Sequence, residues 1–116
     1  MLEIRFTQKA IIDIEIFIRN YEDSYLQIFN DSGIWSEYII KDMYRKSADE
    51  LRENIVSGIV EKLNKKKVFG RKESELMTEI DFYIGSRLVM VLFSDNKESK
   101  ERRVESIFID RKPIIF

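Results

Sequence analysis

The stretch Ile80-Asp81-Phe82-Tyr83-Ile84-Gly85-Ser86-Arg87-Leu88-Val89-Met90-Val91-Leu92-Phe93 decides how the chain reads. Ile80, Phe82 and Ile84 alternate with Asp81 and Tyr83, the period of two that marks a strand with one buried face. Gly85-Ser86 is a turn. Arg87 to Phe93 is almost continuously apolar and rich in Val and Leu, the composition of a central strand buried on both faces. Downstream, Ser94-Asp95-Asn96-Lys97 reads as a polar hairpin turn, Val104 to Ile109 as the returning strand, and Ile114-Ile115-Phe116 as a short tail after Pro113.

Upstream of the basic stretch Lys62 to Lys72 the period changes. Leu51, Ile55, Ile59, Val60 and Leu63 predict a helix reaching about Lys65, and Ser47-Ala48-Asp49-Glu50 has the capping-box spacing that starts one. Ile34, Trp35, Tyr38, Ile39 and Met43 suit another helix before it. Glu22 to Gly33, with the turn formers Asn30-Asp31-Ser32-Gly33, reads as a connector in which Leu26, Ile28 and Phe29 pack down. Ala10, Ile11, Ile14, Phe17, Ile18 and Tyr21 predict an amphipathic helix over residues 8–22 with Thr7 as its N-cap, and Leu2 to Phe6 alternates as a strand. The order is strand, two or three helices, then three antiparallel strands. That is an α+β fold, a small antiparallel β-sheet packed on N-terminal helices. With 116 residues, no internal repeat and no linker, one domain over 1–116 is expected.

Composition narrows the chemistry. Histidine and cysteine are both absent, which removes imidazole acid–base catalysis, thiol nucleophiles and metal sites built on nitrogen or thiolate ligands. Any catalysis runs on carboxylates, Arg, Lys, Tyr or hydroxyls, with no cofactor. A cytoplasmic compartment is expected, with no membrane contact, since no apolar run approaches the roughly 18 residues of a membrane span. The formal charge of −1 argues against grip on nucleic acid by bulk positive charge. By position, however, residues 1–61 carry a net −5 and residues 62–116 a net +4. Such asymmetry fits contact with a polyanion or an oppositely charged partner, or simply a solvated lysine-rich face.

Three segments resemble toxins of the RelE/ParE superfamily, the toxin half of type II toxin–antitoxin operons. Ile4-Arg5-Phe6-Thr7-Gln8-Lys9-Ala10-Ile11-Ile12-Asp13-Ile14 is similar to the family's opening strand and first helical turn. Ser86-Arg87-Leu88-Val89-Met90-Val91 resembles its central strand, which an arginine begins. Val104 to Phe116, ending Ile109-Asp110-Arg111-Lys112-Pro113-Ile114-Ile115-Phe116, resembles its closing strand, basic pair and terminal aromatic. Together they span about a quarter of the chain. The segment 22–46 is longer than the family's usual connector.

The resemblance implies a metal-independent, ribosome-dependent endoribonuclease, in which the ribose 2′-hydroxyl attacks the adjacent phosphate and basic side chains stabilise the developing charge. Arg87 and Arg111 then take the catalytic cationic positions, and Glu73 or Glu75 the general base. Lys65, Lys66, Lys67, Arg71, Lys72, Lys112 and Phe116 form the RNA-binding set. Each has a plainer reading. Arg87 pairs equally well with Asp81 or Asp110 to staple the sheet, Arg111 and Lys112 suit a solvated strand end, and the lysine run suits a helix C-terminus. Glu73 and Glu75 suit a solvated loop.

Departures from the family pattern weigh against cleavage. Glu79 and Asp81 stand where RNA-cleaving relatives carry basic residues, and Phe116 replaces a common tyrosine. A second reading is therefore a ParE-like toxin that binds DNA gyrase and cuts nothing, and a third is a non-toxic relative kept for protein contact. The implied partners are a cognate antitoxin protein, then the ribosome and mRNA, or gyrase. A homodimer, or a heterotetramer with antitoxin, follows from the same resemblance. Trp35, Tyr38, Met43 and Tyr44 are candidate antitoxin anchors or core residues.

Overall fold

A computed structural model describes residues 2–32, 37–65, 68–85 and 87–110. The order is β1 (Glu3–Phe6), α1 (Gln8–Ser32), α2 (Glu37–Leu63), β2 (Arg71–Lys72), β3 (Thr78–Ile84), β4 (Arg87–Asn96) and β5 (Glu101–Ile109). The five strands form one sheet in the order β1-β5-β4-β3-β2. The fold is α+β, with both helices on one face.

The expected all-antiparallel sheet is corrected at its edge. β2 through β5 are antiparallel neighbours, but β1 runs parallel to β5, with Glu3 opposite Glu101 and Phe6 opposite Val104. The helices between β1 and the later strands act as a crossover, the connection that parallel neighbours require. The two-residue strand β2, in the basic stretch, was also not expected.

The described residues hold two helices, within the expected two or three, but their lengths differ from the sequence reading. No Gly or Pro interrupts Glu22 to Ser32, so α1 continues through the predicted connector and includes Asn30, Asp31 and Ser32 of the turn formers. The capping box at Ser47 starts nothing and lies inside α2. Ile40, Tyr44, Ala48, Leu51, Ile55, Ile59 and Leu63 keep a single inward stripe across it, so burial overrides the local start signal. Trp35 lies outside the described residues. Of the other aromatic candidates, Tyr38 is 83% exposed, whereas Tyr44 packs 6.1 Å from Tyr21 and donates to the Ile18 carbonyl at 3.5 Å.

Thr7 caps α1 as predicted. Its Oγ1 accepts from the Ala10 backbone N–H at 3.2 Å, and its carbonyl accepts from Ile11 at 3.1 Å. Replacing Thr7 by alanine is expected to destabilise the fold by about 1 kcal/mol in urea denaturation, the usual cost of losing a cap.

The core lies between the helices and the sheet: Ala10, Ile14, Phe17 and Ile18 of α1, Ile55, Ile59 and Leu63 of α2, and Val89, Val91 and Phe93 of β4. β4 is central, but only its helix side is fully buried. Leu88, Met90 and Leu92, on the other side, are half-buried, since neither helix covers that face. A register shift at Leu92/Phe93 leaves Glu105 without a partner on β4. The bulge switches the phase of β5, so that Arg102, Val104, Ile107 and Ile109 all turn inward. The β4–β5 turn comes later than predicted. β4 runs to Asn96, whose side-chain oxygen accepts from the Glu98 and Ser99 N–H groups.

Arg5 Nη1 donates to Glu101 Oε1 at 2.7 Å across the β1–β5 pairing, and Arg103 reaches the other oxygen at 3.5 Å. The Arg5 hydrogen bond, reinforced by its charge and by Arg103, holds the Glu101 carboxyl below its usual range. A depressed carboxylate contributes stability that is complete above the unfolded glutamate pKa and is lost as pH falls through the folded value. Acidification through that window is therefore expected to lower the melting temperature of the wild-type chain more than that of Arg5→Ala, as read by circular dichroism.

Candidate functional site

The described site candidates do not gather in one place, and Arg87 and Glu73 lie on opposite faces of the sheet. Arg87 opens β4 on the helix side, in phase with Val89, Val91 and Phe93. Its guanidinium carbon stands 5.1 Å from the centroid of the Phe17 ring on α1, and Nη1 donates to the backbone carbonyl of Asp110 at 3.3 Å. The stapling role expected of Arg87 is thus met by a carbonyl and an aromatic face rather than by the carboxylate of Asp81 or Asp110.

Glu73 belongs to the other face and to the other end of the ladder. Its N–H donates to the Met77 carbonyl, just before β3 begins. Arg87 pairs with Ile84 where β3 ends, whereas Phe93 pairs with Thr78 where β3 begins. Six residues of extended strand separate Arg87 from Phe93, roughly 20 Å at the usual rise. The structure therefore does not bring Arg87 together with Glu73, and Glu75 is exposed in the same loop as Glu73.

On this open face Glu79, Asp81 and Tyr83 of β3 stand opposite Leu92, Met90 and Leu88 of β4, and Met90 and Leu92 stand opposite Phe108 and Ser106 of β5. Arg71 pairs with Glu79 across β2–β3. Its Nε donates to Glu73 at 2.8 Å and its Nη2 to Glu79 at 2.7 Å, and the two carboxylates, with Asp81 nearby, raise its pKa further. The guanidinium assigned to RNA is therefore already held by acids. Glu73, Glu79, Met90, Leu92, Ser106 and Phe108 line a shallow groove of about 250 Å³. Gly70 makes the approach of this loop possible, since a Cβ there would stand 2.5 Å from the Glu79 carbonyl oxygen.

The remaining basic candidates are dispersed. Lys72 is exposed opposite Thr78 on β2. Lys65 lies just past α2, where with Lys62, Val68, Phe69, Ile80, Asp81 and Phe82 it borders an open hollow of about 280 Å³. Lys62 Nζ sits 6.0 Å from the Phe82 centroid. Lys66, Lys67, Arg111, Lys112 and Phe116 lie outside the described residues.

Sequence reasoning missed Arg102, which is only 4% exposed. Nε and Nη2 grip Asp95 at 2.7 and 3.0 Å, while Nη1 donates to the carbonyls of Leu63 and Lys65 at 2.7 and 2.9 Å. The guanidinium carbon lies 5.4 Å from the Phe93 ring centroid. It thereby satisfies carbonyls left unpaired at the C-terminus of α2 and fixes where the lysine-rich segment begins. The signal was present: Arg102 alternates in phase with Val104. No helix among the described residues is long and apolar enough to cross a membrane. No protein-family model matches the chain, and neither does any curated protein or solved structure.

Proposed function

We propose that the chain is the toxin component of a toxin–antitoxin pair, of the RelE/ParE kind, and that it arrests growth by binding a protein target. The observation that carries the reading is the architecture around Arg87. An opening strand leads into two helices, and the meander that follows has the arginine-initiated strand at its centre. This order supports the resemblance seen in the three sequence segments. DNA gyrase is the protein target that the resemblance supplies, and a cognate antitoxin is the neutralising partner.

Messenger RNA cleavage on the ribosome is the second reading, and the charges favour it less. Arg71 is engaged by two carboxylates, Arg87 is stacked on Phe17, and Glu79 and Asp81 place negative charge on the open face. Beside β2 and β3, a phosphate approaching that face meets the carboxylates of Glu79 and Asp81 and a guanidinium already paired.

Inducible expression in a bacterial host tests both. Growth arrest is expected, with primer extension showing no new mRNA ends and with purified protein lowering gyrase supercoiling. Arrest accompanied by new ends that depend on translation would replace the binding mechanism with the nuclease. Undisturbed growth would remove the toxin reading.

A further inference from the structure

We propose that β1 is the contact edge of a symmetric dimer, in which a second copy of the chain lays its own β1 antiparallel alongside. β1 ends the sheet, and among the described residues nothing pairs with its outer side. On the inner side the Glu3 N–H donates to the Lys100 carbonyl at 2.8 Å and the Thr7 N–H to the Val104 carbonyl at 3.0 Å. Bonding groups alternate along a strand, so Arg5 also turns to β5, and Ile4 and Phe6 carry their N–H and C=O groups outward. The side chains of Ile4 and Phe6 pack against the margin of the core but are only half-buried.

The charges select the occupant and the register. Glu3 and Arg5 are exposed on the face away from the helices. Glu3 makes no ion pair among the described residues, and Arg5 engages Glu101 through Nη1 alone. Antiparallel pairing centred on Ile4 joins Ile4 to Ile4 and Leu2 to Phe6 by backbone hydrogen bonds. It sets Glu3 of each copy opposite Arg5 of the other, at the closer, non-hydrogen-bonded position. Centring on Glu3 or on Arg5 instead sets like charges opposite, and a slip of one residue turns the second copy's Ile4 and Phe6 to the charged face.

The neighbouring charges do not oppose this register. Glu101 and Arg103 lie one strand farther from the contact, Lys100 falls level with Leu2 and so with Phe6 of the second copy, and Lys9 is held by Asp13 and Ser106. The other edge of the sheet lacks the property. β2 is Arg71 and Lys72, and a second β2 would bring cation against cation. The β1 contact is self-complementary, as a two-fold axis requires, and leaves the helices of both copies on one face of a continuous sheet.

The inference stands apart from the toxin reading, because sedimentation velocity on the purified chain tests it whatever the growth phenotype. So short an edge buries little area, and a dimer with Kd on the order of tens of micromolar is expected, visible below about 500 µM. Ile4→Pro removes an N–H that β5 does not use, and is expected to weaken the dimer about tenfold or more. Glu3→Arg and Arg5→Glu, each alone, are expected to do the same, because each sets like charges opposite. An equimolar mixture of those two variants is expected to dimerise again, since both cross-strand positions then carry opposite charges. Lys97→Glu, in the β4–β5 turn, should leave dimerisation unchanged.

Circular dichroism checks the folding of each variant. Should Arg5→Glu fail to fold, the double exchange Glu3→Arg with Arg5→Glu, which again sets a cation beside Glu101, replaces the mixture and is expected to dimerise. A monomer throughout the range, or a dimer that folded Ile4→Pro and the folded charge variants leave intact, would overturn the proposal. So would a dimer that Phe108→Ala alone dissociates, since the contact would then be the open face.

Discussion

Arg102→Ala is expected to lower the unfolding free energy by about 3 kcal/mol, the range for breaking a buried ion pair from one side. In thermal denaturation this corresponds to a drop on the order of 10 °C. The size follows from how much the side chain joins. One guanidinium grips Asp95 with two donors, caps the carbonyls of Leu63 and Lys65 with a third nitrogen, and covers the ring of Phe93. Truncation leaves the end of α2 without donors and opens space beside a core residue. Asp95→Ala is expected to cost nearly as much, because it strands the buried cation. Arg102→Met combined with Asp95→Asn should cost clearly less than the two single changes together, since the methionine keeps the packing and no charge is left unpaired. Additive losses in urea titration would mean that the two residues act independently.

Phe17→Ala is expected to have a comparable effect, about 3 to 5 kcal/mol, as large aromatic truncations in a core do. Phe17 is 5% exposed and packs within the cluster that joins α1 to β4 and β5. It also provides the ring against which Arg87 lies, so its loss removes the stacking as well as core volume. Phe17→Leu should recover much of the loss, since it restores most of the volume. Arg87→Met tests the other half of the pair. A small stability change, of about 1 kcal/mol or less, is expected, because the methionine side chain still covers Phe17. Growth arrest retained in Arg87→Met would show that the guanidinium is not needed for toxicity, whereas arrest lost from a folded Arg87→Met would restore Arg87 to the working site.

The meander was the most legible part of the chain. Alternation at Ile80, Phe82 and Ile84 and the continuous apolar run of β4 name the paired strands, because one buried face demands period two. Thr7 was equally plain, since a hydroxyl before an apolar stripe has one local use. Ser47 misled because a capping box is worth about 1 kcal/mol, while Tyr44, Ala48 and Leu51 bury apolar surface on both sides of it. The parallel partner of β1 was not legible at all. Nothing in Glu3 to Phe6 says that its neighbour lies at Glu101 to Val104, since a short alternating strand pairs with either direction.

The site was legible in residue types but not in placement. Sequence order sets Glu73 and Arg87 within one segment, and the strand between them carries them to opposite faces and opposite ends. The carboxylates at Glu79 and Asp81 were visible as departures from the family pattern. That they frame an apolar strip required the register of three strands.

Parallel pairing of β1 with β5 also bears on the order in which the molecule is made. Glu3 finds its partner at Glu101, about a hundred residues later in synthesis, and the same β5 supplies Val104, Ile107 and Ile109 to the core. While the chain is being translated, α1 and α2 emerge with their apolar stripes uncovered and no sheet to receive them. Such non-local closure makes folding slow relative to helix formation. The surface that α1 and α2 bury in the finished fold is therefore covered only after β5 has been made.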